Sequence, residues 1–283
     1  MEKKSVTIVK ADGEREPFDP EKLKRSLTRA GAGEKTIAEI TTQVVSEMKD
    51  GMSTQEIYSR AFNYLREKEV RPVAARYSLK RAILALGPSG FPFEDFVSEI
   101  FRAKGYDVMT GVITNGKCAE HEVDLIATSA DDAFGAEVKF HNSPGMKTDL
   151  KVALYVRARF IDLAEAPKVE GEAHIERGML ITNTKFTGNA IEYGKCVGLT
   201  LIGWNYPESG NLQDLVSETG LHPITCLTTL SESEKQRLLE DKLVLCRSIK
   251  AGASVLTEHG ITPEKAAEAM REAQDLCTSG VAM

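Results

Sequence analysis

The feature that most constrains this chain is where its hydrophobic period changes. As far as Leu86, most apolar residues recur at the 3–4 residue spacing of helices. "GPSGFPF", Gly87 to Phe93, then interrupts the pattern with two prolines and two glycines in seven residues. Beyond it, one more amphipathic helix gives way to "HEVDLIAT" and "FGAEVKFH", two runs read as buried strands. A second break falls at "NYPESGN", Asn205 to Asn211, and every later apolar pattern is helical again. Three units follow: residues 1–87, 91–209 and 210–283.

Within the first unit, "KSVTIVKADGEREPF" predicts a β-hairpin closed by an Asp-Gly turn at Asp12 and Gly13. "DPEKLKRSLTRAG" predicts a helix with Asp19 as N-cap, Pro20 at N1 and Gly31 at its far end. Two further helices and a fourth, "VAARYSLKRAILAL", complete a small hairpin-plus-helices unit. The middle unit reads helix, three strands, helix, strand, helix, strand, with "TDLKVALYVRARFIDLA" as the long helix. That order predicts an α/β unit with a central mixed β-sheet flanked by helices. In the C-terminal helical unit, "LQDLVSETG", "ESEKQRLLEDKLVLCRSIKAG" and "TPEKAAEAMREAQDL" are the helical stretches.

The start, "MEKKSVTIVKADG", has no secretory h-region, and no apolar run approaches the ~18 residues that span a membrane. The five cysteines are far apart and form no CxxC pair, which favours free thiols in a reducing cytoplasm over disulfides or zinc. Charge is unevenly spread. Residues 1–90 hold 17 basic and 13 acidic side chains, residues 91–209 hold 12 and 18, and residues 210–283 hold 7 and 11. An acid-rich middle unit discourages bulk attraction to nucleic acid but suits divalent cations.

In "AEVKF", Glu137 and Lys139 share one strand face and Val138 takes the other. A hairpin through "SADDA" sets them beside Asp124 of "EVDLIA". Two nearby carboxylates, with a backbone carbonyl such as that of Val138, suit Mg²⁺ or Mn²⁺. A lysine at that ion can orient or deprotonate an attacking water. The plainer alternative is a strand-end ion pair with Asp124 capping a turn. Against it, all three charges lie in apolar strands, where a charge is costly unless paired or metal-bound.

These residues resemble the PD-(D/E)xK nucleases, in the branch of the Mrr restriction endonuclease and archaeal Holliday-junction resolvases. "FEDFVSEIFRAKGYDV" matches that branch's opening helix, "HEVDLIA" its aspartate strand and "AEVKF" its acid-x-lysine strand. "TNTKFTGNAIEYG" matches its later strand and helix. The resemblance implies a metal-dependent endonuclease acting on duplex or branched DNA, often as a homo-oligomer. It makes Asp124 and Glu137 metal ligands with the Val138 carbonyl, and Lys139 the catalytic lysine. Glu94 becomes an outer-shell or second-metal group, in preference to Glu99. His121 and His141 flank the site as ordinary histidines. The branch's glycine-rich lead-in to the aspartate is replaced by "EHEVD". Lys147 and Lys151, read as i,i+4 on the long helix, are candidate DNA-phosphate contacts.

The first unit resembles the ATP-cone, a regulatory nucleotide-binding domain, through "V.K.DG…PFD..K", "DGMST" and "AARYSLKRA". The resemblance implies that Val9, Lys10, Glu16, Asp19, Lys22 and Thr54 contact ATP or dATP, with Lys80 or Arg81 closing on the phosphates. The cone's usual second basic residue is Ala11 here. With no Walker A pattern, binding without hydrolysis is expected. "ETGLHPITCLTTLSESEKQRLL" faintly resembles a helix-hairpin-helix, although its region is acidic. Together these readings describe a nucleotide-regulated DNA endonuclease. The alternative is a nucleotide-sensing DNA-binding or oligomerising protein with an unused nuclease site.

Overall fold

The structure, a computed structural model, describes residues 6–68, 71–167 and 175–278. Lys4 and Ser5 of the quoted hairpin lie outside them. In the first unit, β1 (Thr7–Val9) and β2 (Arg15–Pro17) pair antiparallel with Ile8 opposite Glu16. Gly13 takes φ +84° in the turn, a conformation glycine adopts without a Cβ clash. α1 (Pro20–Arg29) starts as expected, with the Asp19 carboxylate accepting the Glu21 amide at 2.9 Å. α2 (Glu34–Ser46) follows, then β3 (Met52–Ser53) and α3 (Thr54–Lys68). The β3 strand, parallel to β1, was not anticipated, because two residues are too few to display an alternation.

The expected single fourth helix is two, α4 (Arg71–Tyr77) and α5 (Leu79–Leu84). They part at Ser78, whose hydroxyl donates back to the Ala75 carbonyl at 2.7 Å and competes with the helical ladder. The break has a large consequence for packing. The hairpin and its helices enclose their own core, with Ile8, Leu23, Leu27, Ile40, Val44 and Leu65. Ala75, Leu79, Ala82, Ile83 and Leu86 instead join a second core that runs through one face of the central sheet into the C-terminal helices.

The central unit contains α6 (Phe91–Ala103), β4 (Asp107–Asn115), β5 (Glu120–Thr128) and β6 (Ala133–Lys139). It continues with β7 (Lys147–Thr148), α7 (Leu150–Ala164), β8 (Arg177–Thr182), β9 (Lys185–Phe186), α8 (Gly188–Val197) and β10 (Thr200–Ile202). The mixed sheet has the order β10-β8-β6-β5-β4. Its β4-β5-β6 side is antiparallel, and β6, β8 and β10 run parallel. α6 covers one face, while α7 and α8 cover the other with Val156, Phe160, Leu163 and Ala190.

Asp149 caps α7 by accepting the Val152 amide at 3.2 Å, so the helix starts at Leu150. Lys147 therefore lies in β7, paired with β9, and does not share a helix face with Lys151. The spacing argument missed this because a two-residue strand has no periodic signature of its own.

In the C-terminal region, α9 (Leu212–Thr219), α10 (Glu232–Glu240), α11 (Ala253–Glu258) and α12 (Pro263–Thr278) are joined by short 3-10 turns. The expected run "ESEKQRLLEDKLVLCRSIKAG" stops at Glu240, where Lys242 adopts φ +59° and ends the helix. All five cysteines are free thiols. No helix among the described residues is long and apolar enough to cross a membrane.

Candidate functional site

Two backbone devices bring the acidic residues together. β4 and β5 keep one register on either side of Gly111 and Asp124, but that pair itself is absent from the ladder. Gly111 has φ +60°, and the strands change faces there: Val123 packs on the α7 side and Leu125 on the α6 side. A glycine inside a strand pattern is the sequence signal for such a distortion. It presents Asp124 at the kink, where one carboxylate oxygen accepts the Val138 amide of β6 at 2.7 Å.

The second device sets the depth of α7. Gly135 and Gly178 are register partners on β6 and β8, and the Phe160 ring lies over both. A Cβ would come within 2.5 Å of that ring at Gly135 and within 2.3 Å at Gly178. With no side chain there, α7 sits close on the sheet face that carries Glu137. Tyr155 and Arg159, i and i+4 on α7, then reach the Glu137 carboxylate. The Tyr155 hydroxyl donates to Oε1 at 2.5 Å, and the Arg159 guanidinium pairs with Oε2. The four-residue offset of Tyr155 and Arg159 is visible in the sequence, but their convergence on Glu137 is not.

Glu137 is 9% exposed, and Asp124 is half-buried beside it. Burial first, and the Glu137 charge second, push the Asp124 carboxyl up to about 6. Glu94, one α6 turn above Gly90, is pushed up to about 7 by burial and then by Asp124, Asp95 and Glu137. Three carboxylates thus sense one another, and the Arg159 guanidinium pairs with one of them, Glu137. Among the described residues, no three His, Cys, Asp or Glu side chains converge closely enough to hold an ion by themselves. Asp124 and Glu137 are a chemically suitable pair for a hard divalent ion. They would need a further oxygen donor such as the Val138 carbonyl, and Arg159 would have to leave Glu137.

Lys139 lies on the Glu137 face, two residues on, opposite Thr182 of β8. Among the described residues its ammonium makes no hydrogen bond or ion pair. His141 is fixed next to it: its ring bonds the Thr148 hydroxyl at 2.9 Å, and its backbone exchanges two hydrogen bonds with Asn183. Burial and the Lys139 charge hold the imidazole below its ordinary value, favouring the neutral ring. His121 instead pairs with Asp162 of α7 at 2.8 Å. That carboxylate also accepts the Cys118 and Ala119 amides, so His121 serves the β4–β5 turn. Glu99 is ion-paired to Arg102 and Arg247, and ties α6 to the C-terminal region.

Comparison with known proteins accounts for all three units. Residues 6–84 match the ATP cone domain, residues 87–205 match a restriction endonuclease domain, and residues 222–277 match the AF1548-like C-terminal domain. An uncharacterized protein of Archaeoglobus fulgidus is 36% identical over 180 residues, which is 63% of this chain and 98% of the relative. The crystal structure of a protein of unknown function, AF1548, aligns with TM-score 0.54 at 34% identity, covering 67% of this chain and 99% of that one. The chain belongs to the AF1548-like family. It carries an ATP cone ahead of its restriction endonuclease domain, and the acidic cleft lies within the latter.

In the cone, the hairpin brings the expected nucleotide residues together. Lys10 pairs with Glu14 at 3.1 Å and with Glu16 at 2.7 Å, and Lys22 pairs with Glu16 at 2.9 Å. Val9 is the register partner of Ser53, which precedes Thr54. Asp19 caps α1 and faces Arg25 at 3.9 Å. Lys80 and Arg81 diverge. Arg81 stacks 5.4 Å above Tyr58 inside the cone, whereas Lys80 lies 6.0 Å from the Trp204 ring centroid of the restriction endonuclease domain. The hairpin also touches that domain directly. Lys147 pairs with Asp12 at 3.0 Å, and a Cβ on Gly145 would lie 2.6 Å from the Ala11 carbonyl oxygen. The chain from Lys139 to Lys147 thus joins the acidic cleft to the cone's turn, a contact without a local sequence signal.

Proposed function

We propose that the chain is a divalent-metal-dependent DNA endonuclease whose cutting is set by ATP or dATP bound at the cone. The observation that carries the reading is the juxtaposition of Asp124, Glu137 and Lys139 on neighbouring strands of a restriction endonuclease domain. Asp124, Glu137 and the Val138 carbonyl would hold Mg²⁺ or Mn²⁺, which supplies phosphate polarisation and a bound water of lowered pKa. Lys139, unpaired among the described residues, orients the attacking water and offsets charge developing on the phosphate. Glu94 supports the ligands from outside the pair. Lys151 on exposed α7 is the better placed of the two proposed DNA-phosphate contacts, because Lys147 already neutralises Asp12.

Val9, Lys10, Glu16, Asp19, Lys22 and Thr54 form the proposed effector site, and the protein acts in the cytoplasm as a homo-oligomer. Control requires that nucleotide bind cutting and non-cutting states with different affinity. The test is cleavage of plasmid and branched DNA with Mg²⁺ or Mn²⁺, with and without ATP or dATP. Lys139→Ala is expected to slow cutting at least ~100-fold. Equal cutting by wild type and variant removes that lysine from the mechanism.

A second reading is favoured by one observation: both Glu137 oxygens are already taken by Tyr155 and Arg159. Under it the chain senses nucleotide and binds DNA or oligomerises without cutting. A Mn²⁺ titration separates the two. Asp124→Asn weakens tight binding under the first reading and changes nothing under the second.

A further inference from the structure

At the junction of the cone and the restriction endonuclease domain, lysines arrive from three separate elements. Lys80 comes from α5, Lys185 from β9 and Lys147 from β7, and the last two are register partners. Their compensation is unequal. The Lys147 ammonium rests on Asp12 at 3.0 Å. Neither Lys80 nor Lys185 has an acidic partner among the described residues.

Lys80 is partly buried, with its ammonium 6.0 Å from the Trp204 ring centroid. An aromatic face offsets only part of the cost of withdrawing an ammonium from water. Lys185 follows Thr184, whose carbonyl accepts the Trp204 amide at 2.8 Å, so a second ammonium starts beside the same tryptophan and increases that cost. Burial first, and the Lys185 charge second, lower the Lys80 ammonium to about 8. Paired cations left uncompensated at a domain junction are the arrangement an anion stabilises.

We propose that Lys80 and Lys185, beside Trp204, form a phosphoryl-binding site shared between the cone and the restriction endonuclease domain. The anion is either the polyphosphate tail of a nucleotide or a DNA backbone phosphate. Only the first source rests on the nucleotide reading of the cone. In that case the endonuclease domain contributes a side chain to the effector's own site, so bound nucleotide bridges the two domains.

Trp204 is the only tryptophan in the sequence, which provides a local reporter. Inorganic tripolyphosphate, which does not absorb where tryptophan does, is titrated into the full-length protein while Trp204 emission is followed. A saturable change is expected in the wild type. Lys185→Gln, at an exposed position, should weaken it at least tenfold, and Lys80→Gln should do the same. Circular dichroism melting checks that both variants are folded. ATP binding by calorimetry and binding of a labelled duplex without metal by anisotropy are then measured on the same proteins. Whichever loses tenfold in Lys185→Gln identifies the source of the phosphate.

Lys22→Gln separates this inference from the cone reading. If Lys22→Gln loses ATP while Lys185→Gln binds tripolyphosphate, ATP and duplex as the wild type does, the shared site is wrong and the cone reading stands. If Lys185→Gln loses tripolyphosphate while Lys22→Gln keeps ATP, the site stands and the cone assignment falls. A wild-type protein with no saturable response also overturns the proposal.

Discussion

In the cone, Lys10, Glu14, Glu16 and Lys22 alternate in sign near the surface, whereas the acidic cleft sets Glu94 and Asp124 near Glu137, which holds the Arg159 guanidinium. The first cluster is balanced and solvated. A phosphate can enter it by exchanging one carboxylate partner for another, and exposed pairs of this kind contribute little to stability. The second is acid-rich and enclosed, and burial first, with mutual repulsion second, raises the affinity of Asp124 and Glu94 for protons. There, a cation relieves the cluster, and Arg159 supplies one through its pair with Glu137. The comparison teaches that the proposed effector site is inexpensive to occupy while the proposed catalytic site is kept under electrostatic load.

The largest test of that contrast, beyond the Lys139→Ala assay, is Arg159→Met. Removing one partner of a largely buried pair leaves Glu137 uncompensated, and the expected loss is about 3 kcal/mol in denaturant unfolding without metal. The same change should tighten Mn²⁺ binding about tenfold by calorimetry, because the ion no longer displaces a guanidinium. A variant that is destabilised but binds Mn²⁺ no better would make Arg159 structural only.

His222 lies outside both clusters and provides the pH control. It is 5% exposed, its Nδ1–H donates to the Gly220 carbonyl at 3.2 Å, and it is held down to about 4, chiefly by burial. Its folded pKa lies below the ordinary 6.5, so the unfolded chain takes up the proton first as pH falls. The stability it contributes is whole above 6.5 and is lost on acidification towards 4, by at most about 3 kcal/mol. His222→Gln should flatten melting temperature against pH across that window.

The smallest change is expected in the cone. Lys22→Gln should weaken ATP binding about tenfold, equivalent to ~1.4 kcal/mol, while leaving the melting temperature without nucleotide unaltered. A clear drop in that temperature would show that the exposed mesh is a stabilising element after all.

Much of this arrangement was legible in the chain. Strand alternation correctly put Glu137 and Lys139 on one face, and Asp19, Pro20 and Gly31 delimited α1, because period and capping are local properties. What was not legible depends on distant partners. The kink at Gly111 matters only because Asp124 lies opposite, and Gly135 acquires its meaning from the Phe160 ring twenty-five positions later in the fold's helix. Likewise, nothing near Lys80 indicates that it turns to Trp204 while Arg81 turns to Tyr58.

The break at Ser78 also bears on how the protein is made. α5 completes its packing with residues near the other end of the chain: the Thr225 hydroxyl donates to the Ala82 carbonyl at 2.6 Å, 143 positions away. At ~5–20 residues per second, the apolar side of α5 emerges from the ribosome on the order of 10 seconds before that partner exists. The hairpin and α1–α3 can close around their own core in the meantime. A translational pause before residue 224 would prolong the exposure of Leu79, Ile83 and Leu86, so this stretch is where a nascent chain would need a chaperone.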